Sequence, residues 1–379
     1  MKKYDLAVIT LLLLFLLASG GVAAQFTALN GRKVTAAALD SFLRQQMDSI
    51  GMPGLQIAII NEGKIVCHRS VGEANIDTKT PVDDQSIFEA ASMSKPVFAY
   101  LVMKMVDKGL INLDTPLCSY MPYPDIADER YKLITARMVL THRSGFPNWR
   151  YYNQNNIPDT ALHVKYGQLF LKFTPGTQYS YSGEGFVYLA KVVAFLNHRT
   201  LQSLEPLYES EVAVPLGMEH AWFTGNDYIA RHKVAGHING KVHFHHDTPP
   251  GGTSWPNSSP DWDSSYFNPA ASLHTDAISY AHFVINWMLG NGLSKTSLAE
   301  MLRPQYHWQP KDSSKSEGLG IFMSPSPYGI VYQHGGDNLN FQSDFAWYPA
   351  QKAGYVILTN CDKRDAFEKQ LKEFFTNGK

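Results

Sequence analysis

Apolar residues first recur along this chain at helical spacing. Leu39, Phe42, Leu43, Met47 and Ile50 form one stripe, with Thr35 in the capping position before it and Gly51 as its stop. The period then shortens. Residues 54–60 and 65–71 read as two strands, and the polar turn Asn61-Glu62-Gly63-Lys64 between them predicts a hairpin. A polar loop through Thr80-Pro81 follows. Beyond it Phe98, Leu101, Val102, Met105, Val106 and Leu110 share one face of a second helix, which Gly109 ends. Pro96 is tolerated only in a first turn, so this helix starts near Ser92.

Residues 112–300 carry short helical stripes joined by long loops. Two of these loops, 146–156 and 253–268, are rich in aromatic, Asn and Pro residues (among them Trp255, Trp262, Tyr266 and Phe267) and are expected at the rim of a pocket. Strand patterns return at 318–323, 329–334, 342–348 and 354–359, spaced for an antiparallel meander. Phe367, Leu371, Phe374 and Phe375 mark a last helix. Strands and a helix thus stand at both chain ends with a helical stretch between. One antiparallel sheet built from both ends accounts for this, flanked by the terminal helices, with an all-helical lobe inserted. The sheet lobe would take residues 35–95 and 300–379, the helical lobe 96–299, and a cleft between lobes is the natural place for a site.

Composition adds bounds. The chain has 379 residues and is 44% hydrophobic, ample for a large core in two lobes. Lys and Arg number 33 against 34 acidic residues, so no global charge draws it to nucleic acid or anionic lipid, and no nucleic-acid-binding motif is present. At the N-terminus Lys2 and Lys3 precede an apolar run over 6–18 that is shorter than the ~20 residues of a spanning helix. Small residues then lead to Ala24, so residues 1–24 read as a signal peptide and 25–379 as the mature domain. Export to the periplasm or outside the cell is expected, without stable membrane insertion after cleavage; an uncleaved anchor is the alternative. The three cysteines leave an odd thiol and match no zinc spacing. Cys67 and Cys361 fall in strand-like runs and read as small buried hydrophobes.

Three stretches carry candidate chemistry. Ser92-Met93-Ser94-Lys95 places a serine and a lysine three residues apart on one helix face. A serine hydroxyl attacks only when a neighbour takes its proton, and a lysine can do so when burial or nearby positive charge lowers its pKa. Pro175-Gly176-Thr177 leads to Tyr179 and Tyr181, and a tyrosine beside a lysine's charge can serve as a phenolate base. His334-Gly335-Gly336 ends a strand, where the glycines permit close backbone approach and a backbone N–H could complete an oxyanion hole. Gly-x-Ser-x-Gly, His-Glu-x-x-His, Walker and Rossmann patterns are all absent from the sequence.

With these stretches in order the chain resembles the serine hydrolases related to class C β-lactamases and DD-peptidases, including family VIII esterases. The resemblance runs from about residue 35 to the end. It rests on Ser92-Met93-Ser94-Lys95, residues 110–116 and 134–147, Pro175-Gly176-Thr177 with Tyr181-Ser182, Pro215-Leu216-Gly217-Met218, and His334-Gly335-Gly336. It implies an α/β fold of the α+β type, β-lactamase/transpeptidase-like, with a five-stranded antiparallel sheet and no cofactor. It implies Ser92 as the acylated nucleophile, Lys95 as taker or relay of its proton, and Tyr181 as general base. The N–H groups of Ser92 and Asp337 would form the oxyanion hole, and His334 would contact substrate.

The chain departs from the family at three places. Gly183 stands where Tyr-x-Asn has its amide. His334 replaces the Lys of Lys-Thr-Gly and is only partly charged near neutral pH. Asp337 sets a carboxylate beside the oxyanion hole, which would repel an anionic substrate and welcome an amine. The substrate is therefore a small molecule or peptide, as an ester, amide or lactam. A non-catalytic module holding cell-wall peptides in the same fold is the alternative reading. Tyr179 is the alternative to Tyr181. His142 reads as structural, and His334 has a satisfied strand histidine as its bland reading. The run His237, His243, His245, His246, Asp247 reads as a polar hairpin over Asn239-Gly240 rather than a metal site. The sequence leaves the oligomeric state open.

Overall fold

A computed structural model describes residues 25–150, 168–243, 265–309 and 312–378. The expected signal peptide, most of both aromatic loops, and His245, His246 and Asp247 lie outside the described residues.

Helix α1, Ala36–Ile50, starts where Thr35 accepts the N–H of Ala38 and stops at Gly51, which adopts the left-handed conformation a glycine takes without strain. Strands β1 (Gly54–Asn61) and β2 (Lys64–Asn75) form the hairpin that the pattern requires. A short β3 (Thr80–Pro81) lies on the outer edge of β2. Helix α2 is Ser94–Asp107, α3 Gly183–Leu196 and α4 Ala277–Met288. Strands β4 (Tyr306–Gln309), β5 (Asp312–Glu317), β6 (Phe322–Ser326), β7 (Gly329–Asp337), β8 (Gln342–Tyr348) and β9 (Ala353–Thr359) form the C-terminal meander, and α5 is Arg364–Asn377.

The main sheet runs β4-β5-β6-β7-β8-β9-β1-β2-β3, antiparallel at every step. The chain ends meet in its middle, where Ile357 of β9 lies opposite Ile57 of β1. The described sheet has nine strands, not the expected five. The additions lie toward the two ends of the sheet, with β3 as one edge strand and β4 as the other. Asp312–Glu317 is polar throughout and carries no apolar alternation, so pairing rather than propensity makes it a strand. The expected strand at 318–323 is instead mostly a turn: Gly320 has φ +73, and the N–H of Gly318 bonds back to the carbonyl of Ile321.

The sheet's faces separate two cores. Leu55, Ile57 and Ile59 point to α1 and α5 with Phe367, Leu371, Phe374 and Phe375. Ala58 and Ile60 point the other way, into the larger cluster with α2, α3 and α4. This is the period-two alternation of a sheet buried on both faces. Phe146 and Phe267 are fully buried in that larger cluster, so these two ring positions build core rather than pocket rim. Among the described residues, the segment between the sheet's two halves holds helices and turns, and its strands are two residues long. Two of these pair as the hairpin His237–Ile238 with Lys241–Val242, turning over Asn239 and Gly240. The His237 ring is engaged on both sides: Nδ1 lies 2.9 Å from the Asn360 carbonyl, and Nε2 accepts the N–H of Ile76 at 3.4 Å.

Candidate active site

Ser92 sits in a single 3₁₀ turn, Ala91–Met93, just ahead of α2 rather than inside its first α-helical turn. Ala91 before it has φ 48, a conformation that costs a non-glycine residue roughly 1–2 kcal/mol. Such strain persists where surrounding contacts over-determine the backbone, and it brings Ser92 out of a run whose other members are buried. The turn is stapled from three sides. Ala90 accepts from the Ser343 hydroxyl at 2.7 Å, Leu273 accepts the N–H of Ala90, and Asn338 Nδ2 donates to Glu89 Oε2 at 2.6 Å.

Lys95 is 1% exposed. Its Nζ donates to Ser92 Oγ at 3.0 Å and to the Ala270 carbonyl at 2.8 Å. Burial pushes its pKa well below the ordinary lysine value, toward the neutral amine. Tyr181 completes the group. Its ring lies 4.6 Å from Lys95 Nζ, and Ser92 is close enough to its hydroxyl to act on its pKa, lowering it against the effect of burial. Burial raises the Tyr181 pKa above the usual phenol value. Tyr181 is thus a held phenol, not the ready phenolate that a charged lysine would favour, because burial disfavours both charges at once. Tyr179 lies apart and stacks on Tyr306 with ring centroids 5.6 Å apart.

His142 proves to be the scaffold of Tyr181. It is 1% exposed and takes φ 51. Its carbonyl accepts the N–H of Ser180, its Nδ1 accepts the N–H of Ser182 at 3.1 Å, and its ring packs 4.1 Å from the Tyr181 ring. Both flanks and the face of Tyr181 are therefore fixed by one residue. Nε2 of His142 lies 3.7 Å from Oε1 of Glu317, itself 1% exposed at the end of β5. Glu317 escaped the sequence reading because its strand carries no apolar pattern.

The strand-end residues are less alike than their adjacency suggests. His334 is 2% exposed, stacks on Phe322 at 4.7 Å, and has Nδ1 2.7 Å from the Gly335 carbonyl. Burial first, then the neighbouring Lys95, lowers its pKa to about 3. It is neutral across the physiological range, not partly charged, and presents no cation for a substrate carboxylate. Gly336 allows the strand to touch the nucleophile turn: a Cβ there would lie 2.2 Å from the Ala90 carbonyl oxygen. Asp337 is exposed. Its Oδ1 accepts the N–H of Leu339 at 2.7 Å and its Oδ2 accepts from Gln342 Nε2 at 3.1 Å. Gly183 is buried, with its N–H donated to Asn148 Oδ1 at 3.0 Å. The Trp149 indole fills the space a side chain would need, 2.5 Å from an added Cβ. Ser92, Lys95 and Tyr181 are brought together with β7 alongside, while Gly183 lies behind an aromatic wall.

A serine set by a strained Ala91, with a buried lysine on its hydroxyl and a tyrosine ring over that lysine, beside strand β7 of an antiparallel sheet, defines a class of serine-centred site. The family model described as Beta-lactamase matches residues 39–374, and the chain belongs to that family. The fold is also that of the octameric penicillin-binding protein homologue from Pyrococcus abyssi, with a TM-score of 0.72, 19% identity, and 90% of this chain and 77% of that one covered. A class C beta-lactamase aligns with a TM-score of 0.68 and 18% identity over 88% of this chain and 94% of its own. Among curated proteins, Esterase EstB of Burkholderia gladioli is 28% identical over 206 residues, 50% of this chain and 51% of the esterase. Protein flp of Staphylococcus aureus (strain NCTC 8325 / PS 47) is 23% identical over 331 residues, 85% of this chain and 62% of flp. The match thus spans about half of the esterase and under two-thirds of flp.

Proposed function

We propose that this protein is an exported serine hydrolase that cleaves a small ester, amide or lactam through an acyl-enzyme on Ser92. One observation carries the reading: the buried Lys95 Nζ donates to Ser92 Oγ at 3.0 Å, with the Tyr181 ring 4.6 Å from the same amine. The neutral Lys95 amine takes the Ser92 proton as Oγ attacks the substrate carbonyl. The carbonyl oxygen becomes an oxyanion held by the N–H groups of Ser92 and Asp337. As the tetrahedral centre collapses, the leaving group departs with a proton from Lys95 or through Tyr181, leaving the acyl group on Oγ. A water, deprotonated by the same pair, then releases the acid and restores Ser92. No metal or cofactor enters these steps.

The surroundings favour an ester without a carboxylate close to the scissile bond. His334 is neutral and covered by Phe322, and Trp149 offers an aromatic wall where an amide would stand. The exposed Asp337 carboxylate disfavours an anionic substrate and suits a neutral or amine-bearing one. The similarity to an esterase supports the same preference. Export rests on the N-terminal segment.

Mass spectrometry after reaction with a fluorophosphonate should find the adduct on Ser92. Nitrophenyl esters, a chromogenic cephalosporin and D-alanyl peptides should rank with the esters first, and Ser92→Ala should abolish turnover. Absence of an adduct, with activity retained in Ser92→Ala, would sink the reading. Tight binding of cell-wall peptides with no turnover on any of the panel would favour a binding module instead.

A further inference from the structure

The oxyanion hole of this reading consists of two peptide units, Ala91–Ser92 and Gly336–Asp337. In a trans peptide the C=O and the following N–H point in opposite directions and share one delocalised bond. A donor placed on the carbonyl therefore orients the N–H on the far side and makes it a stronger donor. Both carbonyls carry such a donor here.

Behind Ser92, the Ala91 carbonyl accepts the Ser94 hydroxyl at 2.6 Å and the Ser94 N–H as well. Ser94 is fully buried, and its Oγ in turn accepts the N–H of Leu273 at 3.0 Å. That second bond occupies a lone pair and leaves the hydroxyl proton for Ala91. The result is a directed chain from Leu273 through Ser94 and Ala91 to the Ser92 N–H.

Behind Asp337, the Gly336 carbonyl accepts Arg364 Nη1 at 3.0 Å, and the same nitrogen donates to the Ser343 carbonyl at 2.9 Å. Arg364 opens α5 and is held by its own N–H to Gln342 Oε1 at 2.8 Å and by its guanidinium to Asp365. Gly335 makes room for it, since a Cβ there would stand 2.7 Å from Nη1. Asp344, Asp365 and Glu368 are the acidic groups whose charge reaches this guanidinium. A charge-assisted bond of this kind is about twice as strong as a neutral one.

We propose that Ser94 and Arg364 are positioning residues that orient and polarise the two oxyanion-hole peptides from behind. The proposal rests on the Ser92 hydrolase reading. It also gives each residue around the nucleophile and the strand end a separate task. Ser94 backs one N–H, Gly335 admits the arginine that backs the other, and Gly336 lets the two approach.

The test compares wild type with Ser94→Ala, Arg364→Gln and Arg364→Lys on the best nitrophenyl ester. It measures kcat and KM separately, the rate of fluorophosphonate labelling, and the affinity for an alkyl boronate that forms an anionic tetrahedral adduct. Losing one oxyanion donor outright costs on the order of 100- to 1,000-fold in kcat, so weakening one should cost about tenfold. The expected result is about that fall in kcat for Ser94→Ala and Arg364→Gln, KM within about twofold, and boronate affinity falling in step with kcat. Arg364→Lys, which keeps a charged donor, should recover part of the loss. If Arg364→Gln does not fold, Ser94→Ala and Arg364→Lys carry the test. Unchanged kcat in folded variants overturns the proposal, and so does a fall in kcat with boronate affinity untouched. Wild type that fails to label at Ser92 removes the hydrolase reading itself. Wild type that labels while the variants label equally fast removes only the polarisation.

Discussion

Burial decides the charge of nearly every titratable group at Ser92. Lys95, His142 and His334 are all pushed toward their neutral forms, and Tyr181 is kept protonated. A group in this state responds to pH through folding as well as through chemistry. His334 falls from an ordinary 6.5 to about 3 in the folded protein. Its contribution to stability is complete above the ordinary histidine value, where neither state is protonated. As pH falls from there toward 3 the unfolded chain takes up a proton that the folded one refuses, and the contribution is lost. The melting temperature of wild type should therefore drop more steeply between pH 6.5 and pH 3 than that of His334→Gln. Parallel slopes for the two proteins would remove this account. The two tyrosines of the Pro-Gly-Thr segment could be told apart only by geometry. Their spacing is compatible with either, and only the fold puts Tyr181 against Lys95 while Tyr179 stacks on Tyr306.

Elements meet at the site through close backbone approach as well as through the long side chains of Lys95 and Arg364. Gly336 on β7 touches the turn before α2, and Ser182 caps α3 by accepting the N–H of Gly185 at 3.0 Å. The link between them is His142, bonded to the residues on either side of Tyr181. His142→Ala should therefore release Tyr181 as well as open a cavity. A fall in stability of about 1–3 kcal/mol is expected for the lost buried bonds. Ester kcat should fall far more than the folded fraction does, as read by labelling rate per folded molecule. Full labelling rate in folded His142→Ala would return the histidine to a purely structural role. From the sequence His142 reads as structural, and no local pattern exposes its position behind Tyr181. The two residues lie far apart in the chain, and their contact exists only once α3 and the preceding turn pack together.

At the scale of the whole molecule, the sheet separates stability from chemistry. One face holds α1 and α5, where Phe42 and Phe374 stack at 4.1 Å, and the other holds the site with α2, α3 and α4. Leu371 is fully buried on the first face, away from Ser92. Leu371→Ala should lower stability by about 2–5 kcal/mol as a large-to-small core change. Its kcat/KM, measured well below the melting transition, should stay near wild type. A large loss of kcat/KM at low temperature would show that the two faces are coupled through β7 and α5.

The sequence by itself determined the outline: terminal helices, the β1–β2 hairpin, the inner strands of the meander, and the order of the chemical motifs. These follow from local periodicity and turn residues, which any short window of the chain contains. Tertiary structure decided the rest. The polar β5 and the turn at 318–321 depend on partners, since pairing made a strand of one and Gly318 and Gly320 unmade the other. The neutral state of Lys95 and His334, the aromatic cover over Gly183, and the donors behind the two oxyanion peptides come from residues distant in sequence. Charge state and hydrogen-bond direction depend on how much water and which partners surround a group, and that is set only when both ends of the chain close into one sheet.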